Sequence, residues 1–149
     1  MFSKTAEYAL RATIFIAQKG TINNKLGIDE VAKAIGSPQS FTAKILQMLT
    51  KENKIVSSAR GPHGGFYMTT QSKKLPALAI LEAVGEDSVL RKCVLGLNQC
   101  SEVKPCPMHA EYKLIKEKLI YLFEKKTIQH LANETGKENI FINNGRQKK

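Results

Sequence analysis

Residues 37–70 constrain the fold more than any other part of this 149-residue chain. Ser37 suits a helix N-cap, and Pro38 suits the first helical position, where a missing N–H costs nothing. Phe41, Ile45 and Leu49 recur at i, i+4 and i+8, with Leu46 and Met48 beside them, which predicts one apolar face. The opposite face carries Ser40, Ala43, Lys44 and Gln47, small, polar or basic and free of acid. Two short strand-like runs follow, 55–58 and 66–70. Between them lies Arg60-Gly61-Pro62-His63-Gly64-Gly65, a spacer suited to a hairpin with a wide loop. A capped helix with a neutral-to-basic outer face, then a hairpin with a basic tip, is the pattern of a winged helix-turn-helix that reads DNA.

The rest of the chain fits around that unit. Residues 4–19 read as a first helix with Ala6, Ala9, Leu10, Ile14 and Ala17 along one stripe. Residues 28–35 form a second, short helix with Asp29 and Glu30 near its N-terminus, where acids suit the dipole. Gly36-Ser37 breaks it, and so tight a turn makes a helix-turn-helix. Residues 76–84 form another short, mostly apolar helix stopped by Gly85. Periodicity is then lost from 86 to 107, and this loop holds all three cysteines. A long helix is expected over 108–133, with Tyr112, Ile115, Leu119, Leu122, Phe123 and Leu131 on one side and lysines opposite. A polar tail covers 134–149.

These readings give a mostly α chain with a small β-hairpin wing and a long C-terminal dimerisation helix. The DNA-binding domain spans 1–85, the cysteine loop 86–107, and the helix 108–133. A helix that long behind a small reading head needs cover for its apolar stripe. A second copy of the same helix supplies it and matches two-fold DNA half-sites.

The formal charge is +10. Residues 1–70 hold nine basic and four acidic side chains and residues 71–149 hold fourteen and nine, so each part carries +5. Such an excess suits a polyanionic partner. The sequence lacks a run of about 18 apolar residues, the length of a membrane span. Glu7 and Arg11, at helical spacing, argue against a signal peptide at the N-terminus. A cytoplasmic protein is expected, in which an odd number of cysteines means reduced thiols or a metal site. Gly-rich phosphate loops, Ser-His-Asp sets and paired carboxylates do not stand out, so an enzyme is not expected.

Cys93, Cys100 and Cys106 are spaced C-x6-C-x5-C, and His109 follows as C-x2-H. Thiolates are the usual protein ligands of iron–sulfur clusters, with imidazole an occasional substitute. The spacing is too wide for the paired cysteines of a zinc knuckle. Residues alone leave open a cluster, a Cys3His zinc site or plain reduced thiols.

Three features together resemble the IscR/NsrR family of bacterial winged-helix regulators. They are Glu7-Tyr8-Ala9-Leu10-Arg11, the string Ser57-Ser58-Ala59-Arg60-Gly61-Pro62-His63-Gly64-Gly65-Phe66, and the cysteine triplet before a C-terminal helix. The resemblance implies a homodimer that senses through an iron–sulfur cluster, of the 2Fe-2S or 4Fe-4S type, and answers nitric oxide, redox stress or iron status. Cys93, Cys100 and Cys106 would be ligands. His109 matches the histidine of IscR-type members, and Glu7 the carboxylate that NsrR-type members supply from the partner subunit; both stand open as the fourth. The first cysteine gap is one residue longer than the family's usual five.

On this reading Gln39, Ser40, Lys44 and Gln47 face base edges in the major groove, while Arg60 and His63 form the wing tip, placed for a narrow A·T-rich minor groove. Lys4, Arg11, Lys51 and Lys54 would hold phosphates. The rival reading keeps the DNA-binding fold but has zinc or no metal, and regulates through a small molecule or a partner protein, as cysteine-metabolism regulators resembling this family do.

Overall fold

The computed structural model describes residues 2–97, 102–134 and 142. Cys100, and the expected tail apart from Glu134 and Ile142, lie outside them.

Helix α1 (Lys4–Lys19) has the bounds its sequence predicts. Ser3 caps it by accepting the Ala6 N–H at 3.1 Å. Its buried face is Ala6, Ala9, Ala12, Thr13, Ile16 and Ala17, side chains small enough to let other helices approach closely. Thr13 is fully buried and satisfied by donating to Ala9 O at 2.8 Å. Leu10 and Ile14, expected in the core, are instead half-buried at its edge.

Helix α2 (Ile28–Ile35) also matches, buries Val31, Ala32 and Ile35, and ends at Gly36, whose φ of 71° is left-handed. Helix α3 (Gln39–Leu49) starts one residue later than expected. Pro38, in an extended conformation, occupies the cap position, so Ser37 does not cap the helix. The Ser37 hydroxyl bonds that of Thr42, which is itself buried and donates to Pro38 O at 2.8 Å. Thr42 has spent its one hydrogen, so Ser37 is the donor.

A 3-10 turn (Lys51–Asn53) follows, with Glu52 and Asn53 both at positive φ. Asn53 Oδ1 accepts the Ser58 N–H at 3.1 Å and so ties the turn to the ribbon. Strand β1 (Ser57–Ala59) pairs antiparallel with β2 (Gly65–Tyr67) in the register Ser57↔Tyr67, Ser58↔Phe66 and Ala59↔Gly65. Both strands are shorter than expected because Ile55, Val56 and Met68 turn into the core. Leu26 adds a bridge to Phe66 from the α1–α2 loop, with backbone bonds of 2.9 and 2.8 Å. A Cβ on Gly65 would lie 2.7 Å from Leu26 O, and one on Gly64 would lie 2.2 Å from Ala59 O. Only glycine fits at either place.

Helix α4 (Thr70–Lys73) is one turn capped by Thr69, whose hydroxyl accepts the Ser72 N–H at 3.1 Å. Helix α5 (Leu78–Ala83) is shorter than the predicted 76–84, because Pro76 pairs with Thr127 instead. A 3-10 turn, Asp87–Leu90, opens the cysteine loop.

The continuous helix expected over 108–133 is two helices, α6 (His109–Lys125) and α7 (Ile128–Glu134). Lys126 is extended between them. Its carbonyl accepts the Ala77 N–H at 2.8 Å, and the Ile128 N–H donates to Leu75 O at 2.9 Å. Main-chain pairing with the segment before α5 therefore replaces helical bonds at the joint.

The larger core packs α1 against α2, α3, α5 and α7. A smaller cluster, Ala6, Ala77, Leu81, Leu90 and Phe123, seats α6, with the Phe2 and Phe123 rings 5.6 Å apart. Of the expected α6 stripe only Phe123 is buried; Ile115 is 56 % exposed and Leu122 48 %. Among the described residues, none of the helices is long and apolar enough to cross a membrane.

Candidate DNA-binding face and cysteine loop

Helix α3 is two-faced. Thr42, Ile45, Leu46 and Leu49 are buried, while Gln39, Ser40, Lys44 and Gln47 are exposed. That split follows from the apolar spacing and leaves the four candidate base-reading side chains solvent-facing. Arg60 and His63 are exposed at the tip of the ribbon, whose turn is closed by Gly64 N–H donating to Gly61 O at 2.9 Å. Lys51 and Lys54 are exposed just beyond α3.

Two of the expected phosphate contacts are otherwise engaged. Lys4 lies 5.8 Å from the Tyr8 ring centre and 3.6 Å from Glu7. Arg11 donates to Ile35 O at 3.2 Å and lies over the same ring.

In the loop, the Cys93 thiol is held below the usual thiol range. The backbone N–H groups of Leu97 and then Leu95 are the main cause, opposed by burial and aided by the Cys106 side chain and Gly96. Cys93 is buried and Cys106 half-buried, and their side chains lie within hydrogen-bonding reach of each other. His109 opens α6 and is 9 % exposed, with its N–H donating to Cys106 O at 3.0 Å. Its Nε2 sits 3.8 Å from Glu102 Oε1.

The structure thus brings Cys93, Cys106 and His109 to one loop and leaves Glu7 on the first turn of α1, half-exposed beside Lys4. Cys100 lies outside the described residues. Among those that are described, no three His, Cys, Asp or Glu side chains converge as a metal would require. Two facing thiols among convergent N–H donors do fit the sulfur side of an iron–sulfur site.

Three features went unseen in the sequence. Lys113 on α6 hydrogen-bonds Glu102 and holds its carboxyl below the usual carboxylate range, while Glu102 raises Lys113 in return. Ser3 Oγ donates to Glu86 at 2.8 Å, joining the start of α1 to the start of the loop. Leu10, Ile14, Leu122 and Leu131 line an apolar groove of about 250 Å³ between α1, α6 and α7.

A helix-turn-helix with an adjoining two-stranded wing and an exposed, acid-free second helix defines a winged-helix DNA-binding regulator. The chain belongs to the Rrf2 family of iron-dependent transcriptional regulators, whose model matches residues 2–134. It is 31 % identical over 135 residues to an HTH-type transcriptional regulator of Aquifex aeolicus, covering 89 % of this chain and 92 % of that one. It is 26 % identical over 143 residues to the HTH-type transcriptional regulator IscR of Klebsiella pneumoniae, covering 94 % and 82 %. Its fold is similar to that of CymR, the global cysteine regulator of B. subtilis. The TM-score is 0.71 at 16 % identity, covering 91 % of this chain and 98 % of that one. The family regulates transcription, so this chain is not an enzyme.

Proposed function

We propose that this regulator binds DNA as a homodimer and that its grip on an operator is switched by an iron–sulfur cluster. Cys93, Cys100 and Cys106 would hold the cluster, with His109 or the partner subunit's Glu7 as fourth ligand. The observation that carries this reading is the Cys93–Cys106 pair, with backbone N–H groups aimed at the Cys93 sulfur. Hydrogen bonds of that kind stabilise a thiolate, the form that binds iron. When bound, such a cluster supplies an iron centre whose weak oxygen or nitrogen corner is open to nitric oxide, oxygen or loss of iron.

The chain's own residues supply the transmission. The loop joins α5 to α6, and α6 presents exposed Ile115 and Leu122 beside the apolar groove formed with Leu10, Ile14 and Leu131. A second copy would cover that face. Thiolates drawn to one centre would fix where α6 starts, and through the dimer the separation of two α3 helices. Released thiolates would let that separation vary, a population shift between two arrangements. Gln39, Ser40, Lys44 and Gln47 would read bases, with Arg60 and His63 at the wing.

The second reading is supported by the likeness to CymR: a regulator of this fold without a cluster, or with zinc, governed by a small molecule or a partner protein. An absorption spectrum of protein purified without oxygen separates the two. Visible charge-transfer bands that vanish in Cys100→Ala support the cluster. A colourless protein, with or without zinc by metal analysis, supports the second reading.

A further inference from the structure

Arg11 bonds the end of α2 directly and meets α3 only through the Tyr8 ring. Its Nη1 donates to Ile35 O, the final carbonyl of α2, at 3.2 Å. Its guanidinium carbon lies 5.4 Å from the centre of the Tyr8 ring. Tyr8 in turn meets Phe41, in the first turn of α3, edge-on, with ring centres 5.4 Å apart. One half-buried side chain therefore touches the carbonyl end of α2 and, through a single ring, the start of α3. A guanidinium there also complements the negative end of the α2 dipole. The turn between the helices contains a left-handed Gly36, and nothing lies within 4 Å of where a Cβ on it would sit, so no neighbouring side chain braces the turn from that side.

We propose that Arg11 is a positioning residue for DNA reading. It sets the angle between α2 and α3, and so how Gln39, Ser40, Lys44 and Gln47 are presented, without meeting DNA itself. The proposal rests on α3 being the groove-reading helix. It separates cleanly from a phosphate contact by the same cation. Losing a phosphate contact weakens binding to all sequences alike and lowers the slope of log affinity against log salt by about 0.9. Losing a positioning residue lowers discrimination and leaves the slope and the non-specific affinity alone.

The test uses full-length wild type, Arg11→Gln, Arg11→Lys and Phe41→Leu. Each is titrated at several salt concentrations against a duplex enriched from a random pool by the wild type, and against poly(dI-dC). Melting temperatures are read in parallel. The expected result is a fall of about tenfold in preference for the enriched duplex in both Arg11 variants, with the salt slope unchanged. Lysine does not rescue, because it lacks the planar fork that bonds Ile35 O while lying over Tyr8. Phe41→Leu keeps the charge and loses the preference too, and it serves where Arg11→Gln does not fold. Equal loss on both duplexes with a shallower slope, recovered by Arg11→Lys, overturns the proposal, and so does an unchanged preference. A wild type that enriches no duplex overturns the DNA-reading conclusion together with the proposal, and so differs from failure of the Arg11 role alone.

Discussion

Thr127 and His130 cap each other across the first turn of α7. Thr127 N–H donates to His130 Nδ1 at 3.2 Å, and Thr127 Oγ1 accepts the His130 N–H at 3.0 Å. This is a capping box with histidine in the place usually held by Glu or Gln. It starts α7 afresh directly after the extended Lys126 and so holds the break behind α6. Thr127→Ala and His130→Ala should each cost about 1 kcal/mol. The double variant should cost close to the sum of the two, since each side chain accepts from the other residue's backbone and each substitution removes a different bond. Chemical denaturation checks both statements.

The wing depends on two glycines. Alanine at Gly64 would drive a methyl into the Ala59 carbonyl, and alanine at Gly65 one into that of Leu26. Either substitution should destabilise the ribbon by about 1–3 kcal/mol. Circular dichroism melts should show a modest loss of overall stability. Hydrogen exchange should show protection falling first at Leu26 and Phe66, whose backbones bridge each other.

Arg60 lies exposed at the ribbon tip. If it enters a narrow minor groove, Arg60→Ala should cost about 1–3 kcal/mol on sites with A·T-rich flanks and less on G·C-rich flanks. Competition binding with matched duplexes measures the difference. Equal loss on both would make Arg60 a phosphate contact.

The ion pair between Glu102 and Lys113 ties the cysteine loop to α6. Lys113 holds the Glu102 carboxyl below its ordinary value. The folded pKa is depressed, so the tether is present above the unfolded value, about 4.3, and is lost as pH falls through the lower folded one. Proteolysis of the loop by an acid-active protease should therefore accelerate only once pH has fallen below the ordinary glutamate range. Glu102→Gln should show the faster cleavage already at higher pH.

Much of this was legible in the sequence where punctuation is local. The bounds of α1 and α2 were read from apolar spacing and the Gly36-Ser37 break, and in the structure Ser3 and the left-handed Gly36 act within one turn to set them. The two faces of α3 followed from the spacing of Ile45 and Leu49. The start of α3 was misplaced by one residue because Ser37 suits a cap and Pro38 the first helical position, whereas the Ser37 hydroxyl is taken up by the buried Thr42 hydroxyl. The break in the last helix was invisible because Glu124-Lys125-Lys126-Thr127 contains neither glycine nor proline to mark it. It arises from pairing with residues 75–77, a contact far away in sequence. The bond from Arg11 to Ile35 O was unseen for the same reason: its partner belongs to another helix. In the cysteine loop residue types suggested thiolate chemistry, but only the folded backbone aims the Leu95 and Leu97 N–H groups at Cys93.

The decisive measurement compares the protein reconstituted anaerobically with iron and sulfide against the same protein stripped by a chelator, both titrated on one enriched duplex at fixed salt. The cysteine loop as the switch predicts dissociation constants differing by about tenfold or more, the usual scale of coupling between two sites. It also predicts that Cys93→Ala and Cys106→Ala abolish the difference. Equal affinities and identical footprints for the two preparations would contradict it.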